Sequence, residues 1–455
     1  MRFCLVCVLI FFSSCSQFEK LKNPSLYADD SEISDTNHKY EKEKMVILSA
    51  DATLRKIIET ALEKSPQIGI IKARIDAAHS RLNLAIMEYY PEINLSGGIR
   101  HNWNRERFLP ITKGEDPVFA YNYMFADLAV RVPIYTGGSS KHAKDALRYE
   151  HSALKYSLKR TEQQLVFEIV RLWYLIIRNR LIRDELVLSI ENLKKIRNMT
   201  AMLVKEKKAP ELKLAALDTR MGQLEYEKIR INGVISSLFS ALSSCSGADF
   251  PQGAEKHWKL NEKLPPFLSD KDYYSLALGN RQDVRELHRR ITAQELSMAS
   301  KRSTLMPSVY GVLSYGYRVN TDADHGDTGF AGIEVSFPFL NWFKVNAQIR
   351  EEVAKLKILT ETMRELKRKI RQEVSDALLA LKTAQAMISS SAQTVKYATL
   401  NFEITKKKSD LSMADATELL LAHQELLVAK SNYYKAITDW YLARAKLFFA
   451  AGIDK

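Results

Sequence analysis

The chain has 455 residues, 46% of them hydrophobic and 27% charged, enough to bury a large core and still cover it. Its 17 glycines and 12 prolines are about half the usual share, which excludes a turn-rich all-β domain or a disordered low-complexity chain and leaves long amphipathic helices. The formal charge of +13 is spread along those helices without a single patch, so nucleic acid is excluded as a partner.

The opening MRFCLVCVLIFFSSCSQ sets a basic Arg2 before an apolar run from Phe3 to Phe12, followed by Ser13-Ser14-Cys15. That pattern is a secretory signal peptide over residues 1–14, too short and wrongly flanked to span a membrane. A small residue before cysteine at the cleavage point resembles the bacterial lipobox, which makes Cys15 the candidate lipidation site and the outer membrane the expected address. An ordinary secreted protein cleaved elsewhere is the alternative. Residues 15–53 are polar and read as a tether, able to reach over 100 Å at about 3.3 Å per residue.

From residue 54 the chain repeats itself. The stretch from Ala61-Leu62 to Pro91 superposes on Ala277-Leu278 to Pro307 at an offset of 216, with Arg74/Arg290, Ile75/Ile291 and Ala77/Ala293 identical. Pro133 to Gly247 and Pro338 to Gly452 have equal lengths at an offset of 205. The first repeat takes 54–247, a linker 248–271, the second repeat 272–452, and 453–455 form the C-terminal end.

Each repeat reads as a shorter helix, two strands, a very long helix and a shorter helix. In the first, the periodicity predicts helix over Leu54–Tyr89, strands near Glu92–Asn104 and Tyr121–Val132, and helices over Ser140–Val204 and Glu211–Ser246. Leu165, Ile169, Leu172 and Ile176 run beside a second row of Val166, Val170, Trp173 and Ile177, as suits a helix packed between neighbours in a ring; a plain antiparallel bundle would bury two rows as well. Ser140 is the expected cap of the long helix, which also explains Gly137-Gly138-Ser139-Ser140-Lys141 without a phosphate loop.

In the second repeat, helix is expected over Asp272–Leu305, the strand pair over 308–337, then helices over Phe343–Lys407 and Ala414–Ala450. The row from Leu356 through Leu366, Ile370, Val374, Ala377, Leu381 and Ala384 to Ile388 is a coiled-coil seam. Gly247 and Gly452 each stand just past a final helix as C-cap glycines do. Cys245 is expected to be a small buried residue, and no histidine, cysteine or carboxylate spacing makes a metal site, so no cofactor and no enzyme are expected. Asp322, Asp324, Asp327 and His325 read as a polar external loop.

The strand pairs decide the class of function. Leu128, Val130 and Val132 alternate with Asp127, Ala129 and Arg131, and Ala331, Ile333, Val335 and Phe337 with Gly332, Glu334 and Ser336. Tyr121, Tyr123, Phe125, Tyr315, Tyr317 and Phe330 gather beside them, giving one apolar face, one polar face and an aromatic belt, the wall of a transmembrane barrel. Four strands cannot close a membrane barrel, which begins at about eight strands, so the chain must oligomerise, and a homotrimer would supply about twelve. The expected fold is therefore an α+β channel, a trimeric 12-stranded β-barrel continuing into a long α-helical barrel. A pore-less periplasmic coiled-coil scaffold lipoprotein is the alternative.

These features together resemble the TolC-like outer-membrane efflux proteins, in their lipoprotein branch. The resemblance covers about Leu54 to Ile453 and is carried by the duplication, by Val132-Pro133-Ile134-Tyr135-Thr136-Gly137-Gly138 with its echo Phe337-Pro338-Phe339-Leu340, and by Ala429–Gly452 with Tyr433-Tyr434. It implies an exit duct for a tripartite efflux or type I secretion system, joined to a periplasmic adaptor and an inner-membrane transporter. It also implies a tip closed by acids near the start of the last helix, which points to Glu418 and Asp415, with Leu421 where the second family acid commonly stands; solvated acids at a helix N-terminus are the plain alternative. The basic turns Lys205, Lys207, Lys208 and Lys406, Lys407, Lys408 are candidate adaptor-docking surfaces, or simply solvated charge.

Overall fold

The computed structural model describes residues 52–107, 109, 118–250, 258, 273–321, 324–338, 341–410 and 416–453. The signal peptide, Cys15, the tether, Asp415 and nearly all of the linker lie outside the described residues.

In chain order the elements are α1 (Ala52–Lys64), α2 (Pro66–Met87), β1 (Glu92–Arg107), β2 (Phe119–Tyr135), α3 (Ser139–Lys205) and α4 (Glu211–Ser246). The second repeat gives α5 (Tyr273–Asn280), α6 (Gln282–Ser303), β3 (Ser308–Asn320), β4 (His325–Ser336), α7 (Trp342–Asp410) and α8 (Ala416–Ala451). The first helix of each repeat is thus two helices, where one was expected. Ser65 and Arg281, which are equivalent at the 216-residue offset, both leave helical geometry at ψ 126 and 128. Pro66 accounts for the first break, because the residue before proline is driven out of the α region.

The long helices, 67 and 69 residues, extend about 100 Å each at 1.5 Å per residue. Near its start α3 lies between α2 and α6, where Ser300 Oγ donates to the Ser139 carbonyl at 3.0 Å. Farther along, α4 and α8 flank it, and Arg178 meets Asp439 of α8 at 3.3 Å. This double flanking is why both apolar rows of α3 are used: Leu165, Ile169, Leu172 and Ile176 are buried, and so are Val170, Trp173 and Ile177. Ile370, Val374, Ala377, Leu381 and Ala384 of α7 are buried as the seam requires, against Trp440, Ala443 and Leu447 of α8 and Tyr273 and Ala277 of α5. Each buried Val, Leu or Ile of this cluster stabilises by about 1.5–3 kcal/mol.

Two local expectations fail. Ser140 does not cap α3: the cap is Gly138 at φ 86, and Ser139 Oγ donates instead to the Thr136 carbonyl at 2.8 Å. The sharp turn explains this, since Gly137 and Gly138 both hold positive φ, and a Cβ on Gly137 would lie 2.7 Å from Met306 Cβ. Cys245 is half-buried, on a helix with only one covered side.

The four strands form one antiparallel sheet in the order β1-β2-β3-β4, and the central β2–β3 pair joins the two repeats.

Candidate functional site

Strand register sorts the sheet into two chemically different faces. Ile93, Leu95 and Ile99 of β1 pair with Val130, Leu128 and Met124. Val130 and Leu128 continue to Leu313 and Tyr315, and the row ends on Ala331, Ile333 and Val335 of β4. These apolar side chains share one face, and among the described residues no helix covers it: Leu95 and Ile99 are each 79% exposed and Ile333 is 72% exposed. Burying such a face stabilises, whereas leaving it in water costs about 25 cal/mol per Å².

The opposite face carries the charges. Asp127 meets Arg318 at 3.8 Å, and Arg131 meets Glu334 at 3.5 Å while lying 3.9 Å over the Tyr310 ring. Gly316, paired with Asp127, makes room for this row, because a Cβ there would fall 2.0 Å from Asp127 Oδ1. The expected aromatic belt divides between the faces: Tyr315 and Tyr317 stand with the apolar row, whereas Tyr121, Tyr123, Phe125 and Phe330 share the charged face. Strand parity decides this, and counting aromatics without register missed it. At the hairpin of β3 and β4, Asn320 Nδ2 donates to Asp324 Oδ2 and the Asp324 amide donates to Asn320 Oδ1, both at 2.8 Å, so Asp324 closes a turn.

At the far end of the helices, α8 begins with Glu418 in its first turn, exposed, while Leu419 is buried against Leu186, Leu193 and Ile196 of α3. Leu421 is 56% exposed and lines a groove of about 740 Å³ between α7 and α8, with Tyr397, Asn401, Gln424, Glu425 and Val428. Glu418 and Leu421 are one turn apart and both outward, but Glu418 is not among the groove residues. Lys205, Lys207 and Lys208 are exposed at the α3–α4 turn, Lys207 holding the left-handed backbone at φ 58 and Lys208 pairing with Glu206 at 2.8 Å. Lys406, Lys407 and Lys408 are exposed on the last turns of α7.

One constellation escaped the sequence. Arg281, 2% exposed, bonds Asp283 at 2.6 Å and Glu373 of α7 at 2.5 Å, and donates to the Ala450 carbonyl at 3.2 Å. Arg160 of α3 meets Asp283 at 3.6 Å and donates to the Phe449 carbonyl at 3.2 Å. Two arginines thus bond carbonyls in the last turn of α8, where the Phe449 carbonyl also accepts from the Gly452 amide at 3.2 Å. Burial alone would raise the Asp283 carboxyl, but the bond to Arg281 and the charges of Arg160 and Arg281 outweigh it and hold the group below its ordinary value. Arg160 and Phe449 stand 289 residues apart in the chain, so no local spacing could reveal them.

Comparison with known proteins agrees with this geometry. Residues 273–453, the second repeat, match the family model described as Outer membrane efflux protein. The probable outer membrane lipoprotein SilC of Salmonella typhimurium is 23% identical over 266 residues, 57% of this chain and 54% of the relative, so the match spans about half the relative's length. The outer membrane protein VceC of Vibrio cholerae superposes with a TM-score of 0.74 at 17% identity, over 88% of this chain and 96% of that one. The Campylobacter jejuni CmeC outer membrane channel superposes at 0.75 with 14% identity, over 88% and 86%. The resemblance to the outer-membrane efflux proteins stands on these matches, and the fold is that of an outer-membrane channel such as CmeC.

Proposed function

We propose that three copies of this chain form a channel-tunnel in the outer membrane, the exit duct of a tripartite efflux or type I secretion system. The observation that carries this is the sheet: an uncovered apolar face, a charged opposite face, and bare edges on β1 and β4. Only closure with other copies pairs the edges, and only lipid suits the outer face. The helices follow the same logic, because α7 has neighbours in this chain on one side and carries exposed Ile358, Leu379 and Tyr397 toward the other.

In this reading Cys15 carries lipid, a periplasmic adaptor engages the lysine turns at 205–208 and 406–408, and an inner-membrane transporter supplies the energy. Three copies of Glu418, with Asp415, ring the periplasmic tip and attract cations, and Leu421 narrows it. Glu418→Ala should widen the single-channel conductance and weaken cation preference; unchanged values would remove Glu418 from the gate.

Electron cryo-microscopy of membrane-extracted protein tests the whole. Threefold particles with a short barrel and a tunnel of about 100 Å are expected from the helix lengths. Monomers, or solid helical rods without a barrel, would overturn the duct in favour of a pore-less scaffold.

A further inference from the structure

We propose that Arg100, Arg105, Arg107 and Arg318 form an anion-selective zone inside the barrel, at the end of the sheet remote from the helices. This rests on the channel reading above, in which the apolar face meets lipid and the charged face lines the duct.

Register fixes the placement. Arg100 pairs with Tyr123, Arg107 with Phe119, and Arg318 with Phe125, all on the charged face and all toward the hairpin ends of the strands. Arg105 lies 5.5 Å over the ring of Tyr121, which has the same parity. Against these four guanidinium groups the same end of this face presents one strand carboxylate, Asp127, paired with Arg318. Toward the helices the balance reverses: Arg131 stands against Glu92 across the register and Glu334 beside it.

No described residue on this face cancels the field of the three arginines beyond Arg318. Among the described residues no carboxylate pairs with Arg100, Arg105 or Arg107. Arg100 donates to the Tyr123 hydroxyl at 3.0 Å and lies 5.5 Å over Phe125, so a neutral ring and a neutral hydroxyl hold it. An aromatic partner fixes a guanidinium against the wall without cancelling its field, whereas a carboxylate would do both. Three chains multiply the local excess. Rings of arginine lining a pore are how it favours anions, and at physiological salt their reach is about 8 Å. Carboxylates, phosphates and chloride would pass this zone in preference to cations.

The test is the reversal potential of purified wild-type protein in planar lipid bilayers across a KCl gradient, against a variant with Arg100→Gln, Arg105→Gln, Arg107→Gln and Arg318→Gln. Removing the four charges should raise the potassium-to-chloride permeability ratio roughly threefold. Arg107→Gln alone, exposed at the last position of β1, leaves the rest of the sheet intact and should move the ratio the same way by less. Lys56→Gln, exposed on α1, should leave it where it is. Open channels with the wild-type reversal potential in both arginine variants would overturn the zone and leave the duct standing. Folded wild-type protein that never opens a channel would overturn the duct, and the zone with it.

Discussion

The two repeats solve the same packing problems with opposite chemistry. In the first, α4 ends on Gly247 at φ +65, close against the Lys64 backbone at the α1–α2 break, and the junction is made of backbone and apolar contact. In the second, α8 ends on Gly452 at φ +66 against Arg281, and a buried knot of Arg281, Asp283, Glu373 and Arg160 surrounds the contact. Nearer the tips the roles exchange. Arg197 of α3 and Asp218 of α4 form an exposed ion pair, at 2.5 Å, while the residues equivalent at the 205-residue offset, Phe402 and His423, meet as rings 5.3 Å apart with His423 buried. A duplicated backbone therefore does not carry duplicated energetics: the charged contact sits at the helix-end junction in the second repeat and at the Arg197–Asp218 pair in the first.

The comparison breaks most severely at Arg281. Arg281→Ala leaves Glu373 without its buried partner and Asp283 with only Arg160, and should destabilise by about 3 kcal/mol, read as the denaturant midpoint, whereas Ser65→Ala at the equivalent place should cost far less. Gly452→Ala comes next, at about 2–3 kcal/mol, because its Cβ would lie 2.8 Å from the Arg281 backbone nitrogen at positive φ. Gly247→Ala, at 3.1 Å from the Lys64 carbonyl oxygen, should cost about 1–2 kcal/mol. Equal losses at the two glycines would mean the knot adds no rigidity to its junction.

Acid sharpens the contrast. The Asp283 carboxyl is held below its ordinary value, so its contribution is present above the unfolded value of about 3.9 and is lost as pH falls through the lower folded value. Wild type should lose stability below about pH 4 more steeply than Asp283→Asn, measured as unfolding midpoint against pH. His423 acts at milder acidity. Burial, then Arg220 and Lys430, depress its imidazole, and Ser189 Oγ lies 3.4 Å from Nδ1. A neutral buried histidine favours the fold above the unfolded value of about 6.5 and ceases to as pH falls below it, so His423→Gln should flatten the stability curve just below about pH 6.5. The smallest effect belongs to Arg197→Ala, whose exposed ion pair is screened by water; its midpoint should stay near wild type, and a large shift would show that the first tip depends on charge after all.

Much of this was legible because it is periodic. The α7 seam, both rows of α3 and the alternation of the strands are repeats of side-chain type, and the structure buries or pairs those same residues. What was hidden depends on distance or on register. Pro66 could have announced the break before α2, where one helix was expected, but Arg281 has no proline after it, and only its equivalence to Ser65 at the repeat offset could have flagged the second break. Glu373 and Arg160 reach Arg281 and Asp283 from other helices, and the two-faced distribution of the aromatics follows from pairings that composition does not encode. For the candidate tip, the sequence placed Glu418 in the first turn of α8, but not that its neighbour Leu419 turns inward to α3 while Leu421 opens onto a groove.

The hydrogen-bonded seam between β2 and β3 has a consequence for biogenesis. It commits one chain to four strands with both outer edges unpaired and one face greasy, a state with no comfortable solvent. Such a chain is an aggregation hazard while alone in the aqueous compartment and a leak of unsatisfied peptide groups while alone in the bilayer. On the channel reading proposed above, insertion and oligomerisation have to be a single event, with a steep dependence on the concentration of newly delivered chains, and whatever shields β1 and β4 before assembly would govern its yield more than the intrinsic stability of any helix.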